Sequence, residues 1–141
     1  VICASPAYLH EHPAPKRVED LSEHNCLTHS YFGKSLWHFE QDGEPQSVTV
    51  QGNISANETS TLLRATLAGA GVAMLPSYQA GVHIVSGDLI RLLPQAEPRQ
   101  MNIYAVYASR KHMPTTLRCM LDFLVLRFPQ EPVWDVELDR L

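Results

Sequence analysis

Two short stretches of this sequence gather hydrogen-bond donors and acceptors in a pattern that suits ligand recognition. One is Thr28-His29-Ser30-Tyr31; the other is Asn57-Glu58-Thr59-Ser60, just ahead of an apolar helical period. A helix start leaves its first N–H groups unpaired and carries partial positive charge. The N–H groups of Glu58, Thr59 and Ser60 would therefore seat an anion, although the Glu58 carboxylate opposes one. Asn57 is also a good helix N-cap, and capping alone explains the same pattern as architecture. Thr28-His29-Ser30-Tyr31 follows a short apolar run, and ligands in α/β folds collect at the loops after strand carboxyl ends. An ordinary surface loop reads the same way.

Other chemistry is thinner. His10 and His12 flank Glu11, but Pro13 follows at once and no further ligand shares a rigid element, so no metal site is expected. Cys3, Cys26 and Cys119 are odd in number and widely spaced, with no Cys-x-x-Cys; they read as buried, reduced thiols of a cytoplasmic protein. Gly-x-Ser-x-Gly, the phosphate loop and His-Glu-x-x-His do not occur. Gly69-Ala70-Gly71 follows a helix and precedes a strand, the reverse of a dinucleotide fingerprint. The chain is thus expected to be neither an enzyme nor a cofactor carrier. Its net charge of −4, without a basic run, removes the electrostatic footprint of nucleic-acid binding from this stretch itself. No apolar run approaches the ~20 residues of a membrane span.

The elements that must position these residues follow from periodicity. Residues 1–4 read as a buried strand. Ser5 and Pro6 open a short helix through Tyr8 and Leu9. Residues 12–17 form a loop, and 18–24 a helical turn with acids first and His24 last. Residues 25–31 begin as a strand and turn polar. Residues 36–41 alternate, with Trp37 and Phe39 on a core face; 42–45 are turn chemistry; 46–52 alternate again with Val48 and Val50 inward, giving a hairpin. From Asn57 a helix places Leu63, Leu67 and Ala70 on one face, with Leu62 and Thr66 beside them. Gly69 permits close packing, and Gly71 is the left-handed residue that ends the helix. Residues 72–76 are a buried strand closed by Pro76. A short helix and loop end at Gly87, and 88–93 and 101–108 are strands, the latter buried. Pro114 and Thr115 open a last helix with an apolar stripe of Leu117, Met120, Leu121, Leu124, Val125 and Phe128, stopped by Pro129. The tail beyond is irregular. Helices interleaved with strands predict an α/β fold.

Several motifs in fixed order resemble the regulatory domain of LysR-type transcriptional regulators. These are Ser5-Pro6-Ala7-Tyr8-Leu9, the Pro13 and Pro15 loop, Asp20-Leu21, His24-Asn25-Cys26-Leu27, Trp37-His38-Phe39, the Asn57-led helix, Gly69-Ala70-Gly71 and Leu75-Pro76. The likeness continues through Gly87-Asp88-Leu89-Ile90 and the closing strand and helix, to about residue 128. It implies two α/β lobes like a type 2 periplasmic binding protein, joined by two crossing strands. Residues 5–90 would be the second regulatory lobe. Residues 1–4 and 91–128 would be what this chain contributes to an incomplete first lobe, with 129–141 a tail. Because 1–4 read as the end of a strand, the chain is expected to be a fragment, its DNA-binding helix-turn-helix lying upstream.

The resemblance implies a small-molecule effector held between the lobes, an organic anion being one class. It would touch Thr28, His29 and Ser30, the helix start at Asn57, Glu58 and Thr59, Arg64 as a carboxylate partner, and a rim at Pro76 and Ser77. It further implies homodimers or tetramers of the full-length protein, promoter DNA bound only through the upstream domain, and no membrane association. The rival reading is a solute-binding protein of the same fold, which an export signal and a dedicated high-affinity site would favour.

Overall fold

A computed structural model of the chain describes residues 1–31, 35–100, 104–109, 111, 113–128 and 133–136. In chain order the elements are β1 (Ile2–Ala4), α1 (Pro6–Glu11), a 3-10 turn (Val18–Glu23), β2 (Cys26–His29), β3 (Leu36–Gln41), β4 (Glu44–Thr49) and β5 (Ser55–Ala56). They continue with α2 (Thr59–Leu67), β6 (Val72–Met74), α3 (Ser77–Ser86), β7 (Ile90–Leu92), β8 (Glu97–Pro98), α4 (Thr115–Arg127) and α5 (Val133–Val136).

The centre is a five-stranded sheet in the order β5-β2-β6-β1-β7. β2 runs parallel to both β5 and β6, whereas β1 is antiparallel to β6 and β7. Four strands therefore point one way and β1 the other. Successive side chains on a strand face opposite sides, and here both sides are covered. Ile2, Ala4, Cys26 and Val72 face a cluster with Tyr8, Leu21, Trp37 and Phe39. Cys3, Leu27, Ala73 and Leu75 face one with Leu62, Ala80 and Ile84. Burial on both faces explains why these strands read as continuous apolar runs. Each fully buried Leu or Val adds about 1.5–3 kcal/mol.

The first face carries α1, the 3-10 turn and a small antiparallel sheet, β4-β3-β8. Ser5 caps α1 as expected, its Oγ accepting the Tyr8 N–H at 3.3 Å, with Pro6 at the first helical position. The β3/β4 hairpin closes through Asp42 (φ 55°) and Gly43 (φ 80°), with Gln41 opposite Glu44. The turn is thus a two-residue Asp-Gly loop with positive φ at both positions, and Glu44 and Pro45 already belong to the strand. Trp37, Phe39, Val48 and Val50 are buried as the alternation predicted.

The second face carries α2 and α3. α2 begins one residue later than expected and presents Leu62 and Thr66 as its buried positions, with Leu63 and Leu67 at the flanks of that face. The two glycines after it exchange their expected roles. Gly69 takes the left-handed conformation (φ 82°). Gly71 allows the close approach: a Cβ there would lie 2.1 Å from the Asn25 carbonyl oxygen. Residues 77–86 are helical throughout, ended by left-handed Gly87.

Of the stretches expected with the first lobe, Ile2–Ala4 and residues 91–92 lie in the five-stranded sheet: Ile2 pairs with both Met74 and Leu92. The expected strand at 101–108 is corrected over its described part. Residues 104–108 are not in a strand, and Val106 is 94% exposed. β-forming residues there find no ladder partner, and β propensity is realised only against a neighbour. α4 forms where predicted, but none of its residues is buried, and Cys119, expected as a buried thiol like Cys3 and Cys26, is exposed on it. Pro129 lies outside the described residues. The tail, read as irregular, contains α5, held by ring contacts of Trp134 with Tyr78 (6.3 Å) and Phe128 (6.2 Å).

Candidate functional site

Because β5, β2 and β6 are parallel, their carboxyl ends share one edge of the sheet, and there the chain turns into α2 and α3. Thr28 is opposite Ser55 and His29 opposite Ala56, while Leu27 is opposite Ala73. Ser30 follows β2 directly, on the edge where β5 leads to Asn57 and β6 leads to Pro76. The amide of Thr28 donates to Ile54 O at 3.0 Å and that of Ser30 to Ala56 O at 2.9 Å. The Ser30 and Ser55 hydroxyls are 3.3 Å apart. The Tyr31 amide donates to His29 Nδ1 at 3.2 Å, and the two rings lie 6.1 Å apart. Antiparallel β1 reaches the same edge with its start, where Val1 and Leu75 exchange backbone hydrogen bonds of 2.8 and 2.9 Å.

Neither helix that starts on this edge is capped by a side chain. The N-cap of α2 is Glu58 and that of α3 is Pro76, and neither provides a capping hydrogen bond. Asn57, expected to be the cap, is one residue too early and exposed. Cap geometry requires the residue whose carbonyl opens the helix, and it is the Glu58 carbonyl that receives Thr61 N–H at 3.1 Å and Leu62 N–H at 3.4 Å. The leading N–H groups of both helices thus remain available to an outside acceptor.

The strand ends and helix starts on this edge of the sheet carry Thr28, His29, Ser30, Asn57, Glu58, Thr59, Pro76 and Ser77. Thr28 is buried; His29, Ser30, Thr59, Pro76 and Ser77 are half-buried; Asn57 and Glu58 are exposed. Arg64 does not join them. It is exposed in the last turn of α2, where its carbonyl accepts the Ala68 N–H. The five-residue advance from Thr59 sets it about 7.5 Å along the axis from the edge. Ser55 is the edge residue that sequence reasoning did not single out. Its signal was only the small polar composition of 54–61, because a two-residue strand has no period to detect.

A Ser, a His and an Asp do meet elsewhere. The Ser86 hydroxyl donates to Asp88 Oδ2 at 2.8 Å and lies 3.1 Å from the His83 carbonyl, while His83 Nδ1 is 3.4 Å from the same carboxylate. A nucleophile would need its proton aimed at the imidazole. Here the hydroxyl bonds to the carboxylate and the helix backbone, which finishes α3. Among the described residues no three metal-ligating side chains converge, and no helix is long and apolar enough to cross a membrane.

Comparison with known proteins places this geometry in context. A family profile described as the LysR substrate binding domain matches residues 1–129. HTH-type transcriptional regulator PtxR of Pseudomonas aeruginosa is 35% identical over 133 residues, covering 94% of this chain and 43% of that protein. Probable HTH-type transcriptional regulator LtrA of Klebsiella pneumoniae is 32% identical over 128 residues, covering 88% and 41%. The chain therefore spans about two fifths of the length of these curated relatives. Among solved structures, the regulatory domain of AphB in Vibrio vulnificus superposes with a TM-score of 0.73 at 28% identity, covering 89% of this chain and 63% of that one. Full-length AphB of Vibrio cholerae gives 0.77 at 25%, covering 89% and 43%.

Proposed function

This chain belongs to the LysR substrate-binding-domain family, and from that premise we propose that it is the effector-sensing part of a DNA-binding transcription regulator. The observation that carries the reading is that the helices following parallel β5 and β6 both start without a capping bond from their N-cap side chains, on the edge where the Ser30 amide is held by Ala56 O. Such an edge offers hydroxyls and leading N–H groups to one small ligand with acceptor atoms. A small carboxylate fits the N–H groups. The nearby Glu58 disfavours dense negative charge, so a monoanion or a neutral polar effector suits the site better than a polyanion.

Thr28, His29, Ser30, Thr59 and Ser77 are the proposed contacts, with Asn57, Glu58 and Pro76 at the rim. Arg64 is dropped on its position. The effector works on a protein larger than this chain. Residues 5–90 supply the second lobe, and β1 and β7 carry the crossing between lobes. α4 leaves Phe123, Val125 and Leu126 exposed. We assign the cover of that helix to chain equivalent to the part of the AphB regulatory domain that lies outside the match. The regulator acts in the cytoplasm as a homo-oligomer, reaches promoter DNA through a separate domain, and performs no catalysis.

The test is Thr59→Pro in the full-length protein. Proline is well tolerated at the first helical position, and Glu58 already has the extended backbone that a following proline requires (φ −118°, ψ 121°). The substitution removes one N–H and leaves the helix. Against a panel of small carboxylates and neutral polar metabolites, the wild type should show ligand-dependent promoter output, and Thr59→Pro should lose it while keeping its thermal midpoint. An unchanged response in Thr59→Pro places the effector elsewhere.

A further inference from the structure

At the opposite end of β2 from the candidate edge, Tyr8 stands between two histidines. His12 stacks on its ring (centroids 4.4 Å, 11° between planes), with Nδ1 3.2 Å from the Tyr8 carbonyl oxygen. The Tyr8 hydroxyl lies 3.1 Å from His24 Nδ1 and accepts the Asn25 amide N–H at 3.2 Å. Tyr8 is 4% exposed.

Asn25 is a junction in its own right. Its side-chain amide donates to Ala70 O at 2.6 Å and to Asn53 Oδ1 at 2.8 Å, and its Oδ1 accepts the Asn53 amide at 3.0 Å. Its carbonyl accepts the Val72 amide at 2.9 Å. One residue thus ties α1 to the starts of β2 and β6 and to the segment entering β5.

The Tyr8 oxygen accepts from Asn25 and still has one proton to give; in the His24 tautomer whose Nδ1 carries the lone pair, that proton goes to His24 Nδ1. A second proton on His24 turns Nδ1 into a donor. The phenol proton is left without an acceptor in a buried place, which costs more than the bond was worth.

We propose that the relay from Asn25 through Tyr8 to His24 is a proton-operated joint: uptake of one proton by His24 unseats α1 from the start of β2 and loosens the hold of Asn25 on β6. The groups facing His24 are Tyr8 and His12 from α1, Asp20 and Glu23 from the 3-10 turn, and, across Tyr8, Cys26 of β2. Burial is the larger influence and lowers the His24 pKa; His12 lowers it further, and Asp20 and Glu23 act in the other direction. The folded state therefore binds fewer protons than the unfolded state just below the ordinary histidine value. Stability is full above about pH 6.5 and is lost as pH falls from there through the folded-state pKa.

The experiment uses the full-length protein, with two-dimensional NMR of the histidine rings and hydrogen exchange at the Asn25 amide, compared at about pH 7.5 and about pH 5. His24 should titrate below the ordinary value. After correction for intrinsic exchange, Asn25 protection should fall, tenfold for each unit by which its pKa is depressed. His24→Gln keeps an acceptor for Tyr8 but cannot titrate, and should abolish that fall; His12→Gln should keep it. A His24 that titrates at or above the ordinary value overturns the proposal, as does a His24→Gln protein with the wild-type fall. If His24→Gln does not fold, the wild-type ring titration decides alone.

Discussion

Gly71→Ala should be strongly destabilising, because the position stands against the start of β2. The added Cβ would sit 2.1 Å from the Asn25 carbonyl oxygen and 3.2 Å from its carbon and Nδ2. Ordinary contact needs at least about 3.4 Å, so the starts of β2 and β6 must part by more than 1 Å. The bond from Val72 N to Asn25 O is 2.9 Å, and such a shift carries it beyond hydrogen-bonding range. Overpacking costs about 1–3 kcal/mol and the lost bond about 1 kcal/mol more. The sum, about 2–4 kcal/mol, corresponds to a fall of roughly 8–16 °C in thermal midpoint for a domain of this size. Urea unfolding followed by circular dichroism should show a lower midpoint at unchanged slope. Gly69→Ala is the control. Its Cβ meets nothing closer than 3.7 Å but must hold φ near 82°, a strain of about 1–2 kcal/mol. If Gly71→Ala loses less than about 0.5 kcal/mol, or less than Gly69→Ala, the close-approach account is wrong.

Other expectations follow from burial and caps. Iodoacetamide at mildly alkaline pH should label exposed Cys119 in the folded chain and spare Cys3 and Cys26, whose thiols burial raises to about 12; intact mass after brief labelling reads this directly. Asn57→Ala should change the urea midpoint by less than about 0.5 kcal/mol, since the residue neither caps α2 nor is buried; a loss of 1 kcal/mol or more restores the capping role. Leu126→Lys, at a position 84% exposed, should be neutral in this chain. In the full-length protein, where α4 is covered, it should cost about 2 kcal/mol.

What the sequence revealed of this fold, and what it concealed, divides along physical lines. The hairpin, α1, α3 and β6 were legible because each couples a period to local punctuation: Ser5 and Pro6, Asp42 and Gly43, Gly87. The start of α2 was misplaced by one residue because asparagine is so good a cap that composition outvoted geometry; the backbone of Glu58 opens the helix although its side chain contributes nothing. The roles of Gly69 and Gly71 were exchanged because both glycine functions look identical in one dimension. Only the Asn25 carbonyl, forty-six residues upstream, distinguishes them. β5 and β8 have two residues each and no period at all. Residues 104–108 show the converse failure, a strong β composition with no neighbouring ladder. Of the candidate site, Thr28, His29, Ser30 and the 57–59 stretch were visible as polar clusters after apolar runs. That β2, β5 and β6 end on one edge of the sheet depends on strand order, which no local pattern encodes.

The place of β1 in the sheet has a consequence for how the protein is made. Ile2, Cys3 and Ala4 are completely enclosed, yet their partners are Ala73, Met74 and residues 90–92. A ribosome adding about 5–20 residues each second leaves this apolar strand without β6 for roughly 4–14 seconds and without β7 for roughly 4–18 seconds. During that interval α1, the 3-10 turn and the β3/β4 hairpin can form from local contacts, but the central sheet cannot close.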